Sequence, residues 1–500
     1  MNKTLSTTPA VEQPTRVRYG VLAFVCTLSM ITYLDRVCMS NAGPYVQEVL
    51  GLESEAGLKW IFWAFTISYA IFEVPTGWLG DVFGPRRTII RIVLWWSLFT
   101  VLTGLVGFSI LGVTIGFAAL VAIRFFFGVG EAGAYPNLTR ALHNWFPYRS
   151  RAFAQGAMWM SGRLMGGLTA LIWGLVVHRL LGAWPNDGWR GAFYLFGVFG
   201  IMWCIAWAYW FRNRPEEKRT VNAAEQALIC GDRRDLAAGH ARVPWRRLLS
   251  SGNLWALCLM YFCGAYGWYF NITLLPTYLE TQHGVARDST LGDIYKGGPL
   301  WMGAITCLLG GYLSDRFIRR TGNHKWGRRL FGVVGHALCA LCYLGSFGAS
   351  TSPAASSAVN AFLFFLTISF AAFWNDLTMG AAWAVCQDIG KRYAAIVAGC
   401  MNTIGNLGGA VTILVTGFIL DSKLEAYAAA KGLTVHALSA SEKAAGLLPG
   451  YQINFLLYAL VYVIAVFLWL RVDATKPVVP EALEPDQGKL AAAIEPEPPA

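Results

Sequence analysis

Apolar residues in this chain come in runs long enough to cross a lipid bilayer, and nothing else about the sequence limits its fold as strongly. Twelve stretches of about 18 or more residues match the roughly 30 Å of a hydrocarbon core: approximately 19–39, 60–79, 88–108, 111–134, 153–181, 191–211, 254–278, 298–313, 330–348, 358–385, 394–420 and 453–470. A backbone in lipid must satisfy its own hydrogen bonds, so a spanning segment is a helix or part of a closed barrel. Barrel strands alternate apolar and polar residues, whereas these runs are continuously apolar. The expected fold is therefore an all-α membrane protein with twelve transmembrane helices, solvated by the lipid bilayer. Composition agrees, because Asp, Glu, Lys and Arg make up 14% of the 500 residues, against about 25% in soluble proteins. A soluble enzyme is disfavoured on that ground.

The net charge of +11 is spread unevenly. With loops assigned alternately to two sides, 28 of the 40 Lys and Arg fall on the side holding both termini, 7 on the other, and five inside spans. That asymmetry predicts a multi-pass protein of the plasma (inner) membrane with both termini cytoplasmic. It also accounts for the basic central loop without any nucleic acid. The first fifteen residues are polar and the first span is too long for a signal-peptide core, so no cleavage is expected. The 11 cysteines are scattered; the one Cys-x-x-Cys pair, Cys339 and Cys342, sits in an apolar helix without His or acidic companions and reads as helix packing. No metal and no cofactor is expected. There is no His-Glu-x-x-His, no Walker loop and no dinucleotide glycine pattern, which disfavours a membrane enzyme and ATP-driven transport alike.

A charged loop over 212–250, opening with Pro215-Glu216-Glu217-Lys218-Arg219, divides the spans six and six. The domain reading is a cytoplasmic N-terminus (1–18), an N-terminal six-helix half (19–211), a cytoplasmic linker (212–250), a C-terminal six-helix half (251–472) and a disordered cytoplasmic tail (473–500) rich in Pro, Glu and Ala. Internal similarity supports the two halves. Gly77-Trp78-Leu79-Gly80-Asp81 after the second span is echoed by Gly311-Tyr312-Leu313-Ser314-Asp315 after the eighth. Gly162-Arg163-Leu164-Met165-Gly166-Gly167 is echoed by Gly405-Asn406-Leu407-Gly408-Gly409. Repeated six-span halves are a transporter architecture, with substrate held near the midplane where they meet. The loop over 422–450 reads as a tolerated insertion with room for a short external helix or lid.

The Gly77-to-Asp81 stretch, with Gly84, Arg86 and Arg87 behind it, resembles the loop between spans two and three of the major facilitator superfamily. Glycines there let two helix ends approach, and Asp81 with the arginines can bridge neighbouring ends as a gating latch that rocking makes and breaks. Asp315 holds the corresponding place in the second copy, where Ile318 stands in for Gly84. Three further stretches narrow the resemblance to the anion:cation symporter family: Tyr33-Leu34-Asp35-Arg36-Val37, Arg124 through Gly128 to Glu131-Ala132 and Pro136, and Trp189-Arg190. Nearly the whole chain is covered. The resemblance implies proton-coupled symport of a sugar acid or other small organic anion by a monomer, with the acidic pair Asp35 and Glu131 in roles like those in sugar-acid symporters.

Charges inside spans carry the mechanistic expectation, since each costs at least roughly 2.5 to 3.5 kcal/mol on insertion scales. Asp35, Arg36, Arg124, Glu131 and Arg163 all lie in the N-terminal half. Arg124 and Glu131, two helical turns apart, share a face. Carboxylates able to go neutral suit proton carriage, and arginine, which will not titrate, suits a substrate carboxylate. Asp35 and Glu131 are thus the expected proton-coupling pair, and Arg124, with Arg36 or Arg163, the expected substrate-binding cations. Arg36 is as well suited to pairing with Asp35 or a neighbouring helix. Arg163 departs from the neutral amide of the resembling galactonate carriers; it binds a further substrate group or pairs with Glu131 or another cavity acid. Tyr69, Asn375, Asp376, Trp383, Asn402 and Asn406 are candidates to read substrate hydroxyls. Of these, Tyr69, Trp383 and Asn402 fall on positions that the resemblance places in the cavity. Glu73, just before Pro75, suits a gate, a snorkelling role or coupling. An anion exchanger without net protons and a non-transporting anion sensor are the competing functions.

Overall fold

The computed structural model describes residues 12–51, 58–110, 113–180, 188–231, 243–285, 290–351 and 357–479. Helices α1 (Val17–Leu50), α2 (Leu58–Phe83) and α3 (Pro85–Thr103) are followed by a small antiparallel hairpin, β1 (Ser109–Ile110) with β2 (Val113–Thr114). Next come α4 (Phe117–Glu131), α5 (Ala134–Trp145), α6 (Arg151–Gly174), which continues as a π-helix over Leu175–Leu180, and α7 (Gly188–Trp210). The linker carries α8 (Ala223–Cys230) and α9 (Trp245–Ser250). Beyond it lie α10 (Gly252–Tyr269), a π-helical turn over Phe270–Leu274, α11 (Leu275–His283), α12 (Thr290–Thr321) and α13 (His324–Thr351). The last are α14 (Ser357–Leu377), α15 (Met379–Gly390), α16 (Ala394–Ala430) and α17 (Ala440–Arg471). Taking α4 with α5, α10 with α11 and α14 with α15 as interrupted rods leaves six long segments on each side of the linker.

Local sequence acts most clearly at helix ends. Gly84, at φ +85°, takes a backbone conformation that side chains disfavour, and Pro85 follows at the first helical position. Gly133, at φ +79°, breaks the fourth rod just after Glu131, and a Cβ there would lie 2.6 Å from Thr76. Ser439 and Glu442 form a capping box at the start of α17.

Three expectations need correction. Residues 113–116, expected in the fourth span, belong to the hairpin and the turn after it, and the helix starts at Phe117. The room that the 422–450 stretch leaves for a short external helix or lid is taken up largely by the neighbouring long helices, because α16 runs on to Ala430 and α17 begins at Ala440. Nor is the tail disordered from 473. Val478 N–H donates to the Ile389 carbonyl at 2.9 Å, and Asn253 Nδ2 donates to the carbonyls of Asp473 and Lys476, each at 2.9 Å. Burial pushes the Asp473 carboxyl up, but Thr475, bonding through its hydroxyl at 2.6 Å and its N–H at 3.1 Å, and the Lys325 ammonium at 3.2 Å outweigh it and hold Asp473 below the usual carboxylate range. Residues 480–500 of that tail, 1–11 of the N-terminus and 232–242 of the linker lie outside the described residues.

Among the described residues, 17–43, 117–145, 188–210, 324–348, 359–430 and 440–471 are long and apolar enough to cross a membrane by composition alone. The other segments carry some of their charges inside the bundle, as Glu73 in α2, Arg163 in α6 and Asp315 in α12 show. Large side chains such as Trp63, Met202, Leu341, Leu414, Phe418 and Phe467 point outward, as an apolar solvent permits.

The core is divided in a way that bears on function. One buried cluster runs through both halves towards the linker side, joining Leu138, Trp145 and Ala154 to Cys307, Met379, Val385 and Val397. Two others stay within single halves: Leu34, Met39, Val46, Trp173 and Phe193 in the first, and Tyr278, Tyr343, Phe364 and Tyr451 in the second. The halves are thus welded at the linker side and packed separately towards the far side.

Candidate functional site

The weld begins with two copies of one device. Gly77 lies against α16 so closely that a Cβ would sit 2.7 Å from the Ala395 carbonyl oxygen. One turn on, the Asp81 carboxylate accepts from the N–H groups of Ala395 (3.2 Å) and Ile396 (2.8 Å). These amides belong to the first turn of a helix in the other half and have no acceptor within it, so the carboxylate meets orphan donors and the positive end of the helix dipole. Arg140 stands 3.5 Å from Asp81 and donates to the Lys391 carbonyl at 2.7 Å. In the second copy, a Cβ on Gly311 would lie 2.2 Å from the Ala152 carbonyl oxygen. Asp315 accepts from Ala152 N–H (3.4 Å) and Phe153 N–H (2.7 Å) and pairs with Arg328 at 2.7 Å.

Ile318 does not cost the second latch its geometry. Helix α12 simply continues past it to Thr321, and the turn that Gly84 makes in the first copy is made by Gly322, at φ +68°. Gly77, Asp81 and Asp315 therefore lie at contacts between the halves, and Gly84 makes the turn between α2 and α3. Arg86 bridges to α7, bonding the Ala208 carbonyl, while its N–H donates to Asn213 Oδ1 at 3.0 Å. Arg87 does not join the latch as expected; Pro85 starts the helix, and the roughly 100° between successive residues turns Arg87 outward, exposed and without an ion pair among the described residues.

Deeper in, aromatic rings from both halves form a floor. Tyr135 stacks on Trp159 with ring centres 4.5 Å apart, and Trp383 leans on Trp159 at 5.0 Å while its Nε1 donates to the Tyr261 hydroxyl at 3.3 Å. Beside it Arg163 crosses between the halves. Its Nε donates to Asp376 at 2.9 Å, Nη2 reaches the other carboxylate oxygen at 3.3 Å, and Nη1 donates to the Tyr33 hydroxyl at 2.8 Å. The guanidinium also lies 3.9 Å over the Trp268 ring. Asn375 Nδ2 donates to Asp376 at 3.0 Å and Asn375 Oδ1 accepts from Tyr462. Of the two roles open to Arg163, this geometry is pairing with a cavity acid, and Asp376 is its counter-charge.

The N-terminal half holds the remaining charges. Arg36 Nε donates to Glu131 Oε1 at 2.7 Å, and its guanidinium lies 4.6 Å over the Tyr69 ring, whose hydroxyl is buried without a hydrogen-bond partner. Arg36 thus pairs with a neighbouring helix rather than with Asp35. Arg124, nearly fully buried, makes no ion pair among the described residues; its Nε lacks a partner, and its charge rests 4.4 Å over Phe127 and 5.2 Å over Phe65. Asp35 is buried too, with neither oxygen hydrogen-bonded. Asn402 and Asn406 do not stand open to the cavity but reach Glu73 on α2, at 2.5 and 3.5 Å.

The sequence matches the Major Facilitator Superfamily over residues 25–413. The chain belongs to the major facilitator superfamily. A probable sulfoacetate transporter of Cupriavidus necator is 34% identical over 417 residues, covering 82% of this chain and 89% of its own. A probable galactarate/D-glucarate transporter of Escherichia coli is 28% identical over 452 residues, with 86% and 93% covered. Among solved structures, a proton:xylose symporter of the superfamily superposes with a TM-score of 0.67 at 14% identity, covering 92% of this chain and 96% of that one, a likeness of fold. As a member of the superfamily, the protein is an integral membrane transporter of twelve helices in two six-helix halves, and not an enzyme.

Some of this transporter's buried charges escaped the sequence reading. Asp388 takes Arg151 from the other half at 2.9 Å and Arg328 at 3.1 Å, tying the second latch into a four-residue lattice with Asp315. Its signal was an acid closing an apolar stretch, next to Gln387. Glu225 of the linker holds the N-terminus, accepting from the N–H groups of Val17 (3.1 Å) and Arg18 (3.2 Å); no pattern around it announces that. Asp376, a candidate reader of hydroxyls by sequence, is instead the counter-charge of Arg163.

Proposed function

We propose that this transporter imports a small organic anion, a sugar acid or related carboxylate, by proton symport through alternating access. It works as a monomer in the plasma (inner) membrane, with both termini and the linker side cytoplasmic. One observation carries the reading: pairing Arg36 with Glu131 and Arg163 with Asp376 leaves Arg124 without an ion pair and Asp35 without a hydrogen bond in the same half. A fixed cation sealed among phenyl rings is costly unless an anion completes it, and an unpartnered carboxyl is the natural place for a proton. Arg124 holds the substrate carboxylate. Asp35 carries a proton, and Glu131 takes a second when the substrate draws Arg36 away from it. The relatives named for sulfoacetate and for galactarate/D-glucarate support the substrate class, since all three compounds carry carboxylates.

The two latches and the shared core on the linker side support a state shut towards the cytoplasm, which rocking of the halves would reopen. The Arg36–Glu131 pair also favours a second reading. If the pair never parts, Glu131 stays ionised and the protein exchanges anions without net protons. Flux into proteoliposomes with and without a pH gradient separates the two, after a thermal-shift panel of hexuronates, aldonates, aldarates, dicarboxylates and sulfonates has named the substrate. Accumulation driven by acid outside is the expected result; exchange alone, unaffected by the gradient, sinks the symport reading.

A further inference from the structure

Glu73 is a buried acid that the pairing scheme does not use. Its residue is fully enclosed in α2, and no Lys, Arg or His nitrogen lies within 4 Å of its carboxyl among the described residues. What meets it comes from α16 in the other half: Asn402 Nδ2 donates to Oε1 at 2.5 Å, Thr403 Oγ1 to Oε2 at 3.4 Å and Asn406 Nδ2 to Oε2 at 3.5 Å. The helices touch closely there, since a Cβ on Gly399 would sit 3.3 Å from the Glu73 carbonyl oxygen and from Val74 Cα. Two turns further along the same helix, Asp81 caps α16. Glu73 and Asp81 therefore report on one movement: parting the linker-side ends withdraws α16 from both.

The titratable and charged groups around Glu73 are few. Tyr69 stands one turn away on its own helix with its hydroxyl near enough to act on Glu73, and Arg36 of α1 acts on Glu73 electrostatically from across the Tyr69 ring while bonded to Glu131. Tyr269 of α10 donates to Asn406 Oδ1 at 3.3 Å, and Cys400 of α16 lies within electrostatic range. None supplies a counter-charge in contact. A sealed, unpaired carboxylate is strongly disfavoured, whereas a neutral acid among amides and hydroxyls is not. Water reaching the site reverses that preference.

We propose that Glu73 is a third proton-binding site of the transport cycle, protonated while the linker-side ends are shut and releasing its proton to linker-side water when α16 withdraws. The proposal rests on the alternating-access reading but is tested without substrate. If shutting the halves takes up one proton at Glu73, the opening equilibrium gains about tenfold per pH unit from this group. Hydrogen exchange of the Ala395 and Ile396 amides, corrected for its intrinsic pH dependence, measures that equilibrium in lipid nanodiscs. The wild-type protein is expected to open more as pH rises, and Glu73→Gln, which keeps the acceptor for Asn402, is expected to flatten the slope by about one decade per pH unit. An unchanged slope in Glu73→Gln, or no pH dependence in the wild type, overturns the proposal. Should Glu73→Gln fail to insert, Glu73→Asp keeps a titratable group one methylene further from Asn402; it must keep the slope and move the midpoint, and an unmoved midpoint overturns the proposal as well. Failure of pH-driven flux would instead strike the symport reading, and would leave this slope in place.

Discussion

Replacing Asp376 with Asn tests whether the Arg163 pair holds the two halves together. The pair is nearly sealed, with side-chain exposures of 7% for Arg163 and 0% for Asp376. Removing one partner from a buried ion pair costs about 3–5 kcal/mol, because the other charge stays behind. Asn keeps an acceptor for Nε, and the Tyr33 hydroxyl and the Trp268 ring remain around the guanidinium, so the low end, about 3 kcal/mol, is expected. The loss falls on the form shut at the linker side, in which this pair joins α6 to α14. It converts to an opening equilibrium larger by on the order of 100-fold. The amides of Ala152, Phe153, Ala395 and Ile396 report it directly, because they donate to Asp315 and Asp81 across the interface and to nothing in their own first turns. Hydrogen exchange at these four should accelerate by about that factor, while amides of the far-side clusters stay protected. The double variant Arg163→Met with Asp376→Leu should recover most of the protection, as apolar replacements of buried pairs do. Exchange within twofold of wild type in a folded Asp376→Asn protein would refute the idea that this pair holds the halves shut.

Arg124→Ala should abolish both substrate binding and counterflow, whereas Glu131→Gln should keep both and lose pH-driven accumulation; full accumulation by Glu131→Gln would remove it from the coupling pair. Gly311→Val puts a side chain where a Cβ already comes within 2.2 Å of the Ala152 oxygen, so fast exchange at Ala152 and Phe153 with weakened uptake is expected, and normal uptake would show that the second latch is dispensable. For Asp473 the sign is that of a depressed carboxyl: its contribution to holding the 473–479 segment is full above the usual carboxylate range, about 4, and is lost only as pH falls through its lower folded value. Protection of the Thr475 and Val478 amides should therefore persist at pH 4 in the wild type and be lower at all pH values above that in Asp473→Asn. Deleting the chain from Pro480 onward should leave uptake intact; loss of uptake at normal expression counts against that.

Sequence alone determined the class of fold and its division into two halves. Long apolar runs admit only helices in lipid, the charged linker splits them six and six, and the echo of Gly77-to-Asp81 at Gly311-to-Asp315 marks two equivalent stretches. Gly84 could be placed in a loop between two spans because a glycine's backbone preference is local, whereas the break at Gly133, inside what reads as one continuous span, came only with the structure. The charged residues in the N-terminal half were also legible, since a charge in an apolar run stands out whatever its partner. Partner choice was not legible, and tertiary structure decided it. Arg163 and Asp376 are 213 residues apart in the chain, and Glu73 and Asn402 are separated by 329; no local pattern links such positions. Which acid neutralises which arginine depends on how the two halves dock, and an ion pair falls off within a few ångströms in a way that sequence spacing cannot encode. The same docking decided that Asn402 and Asn406 turn to Glu73, that Arg87 turns away, and that the tail lies against the helix ends as far as Val479. Hydropathy is a sum over neighbours along the chain, whereas the pairing that leaves Arg124 without a partner is a property of surfaces brought together from its two ends.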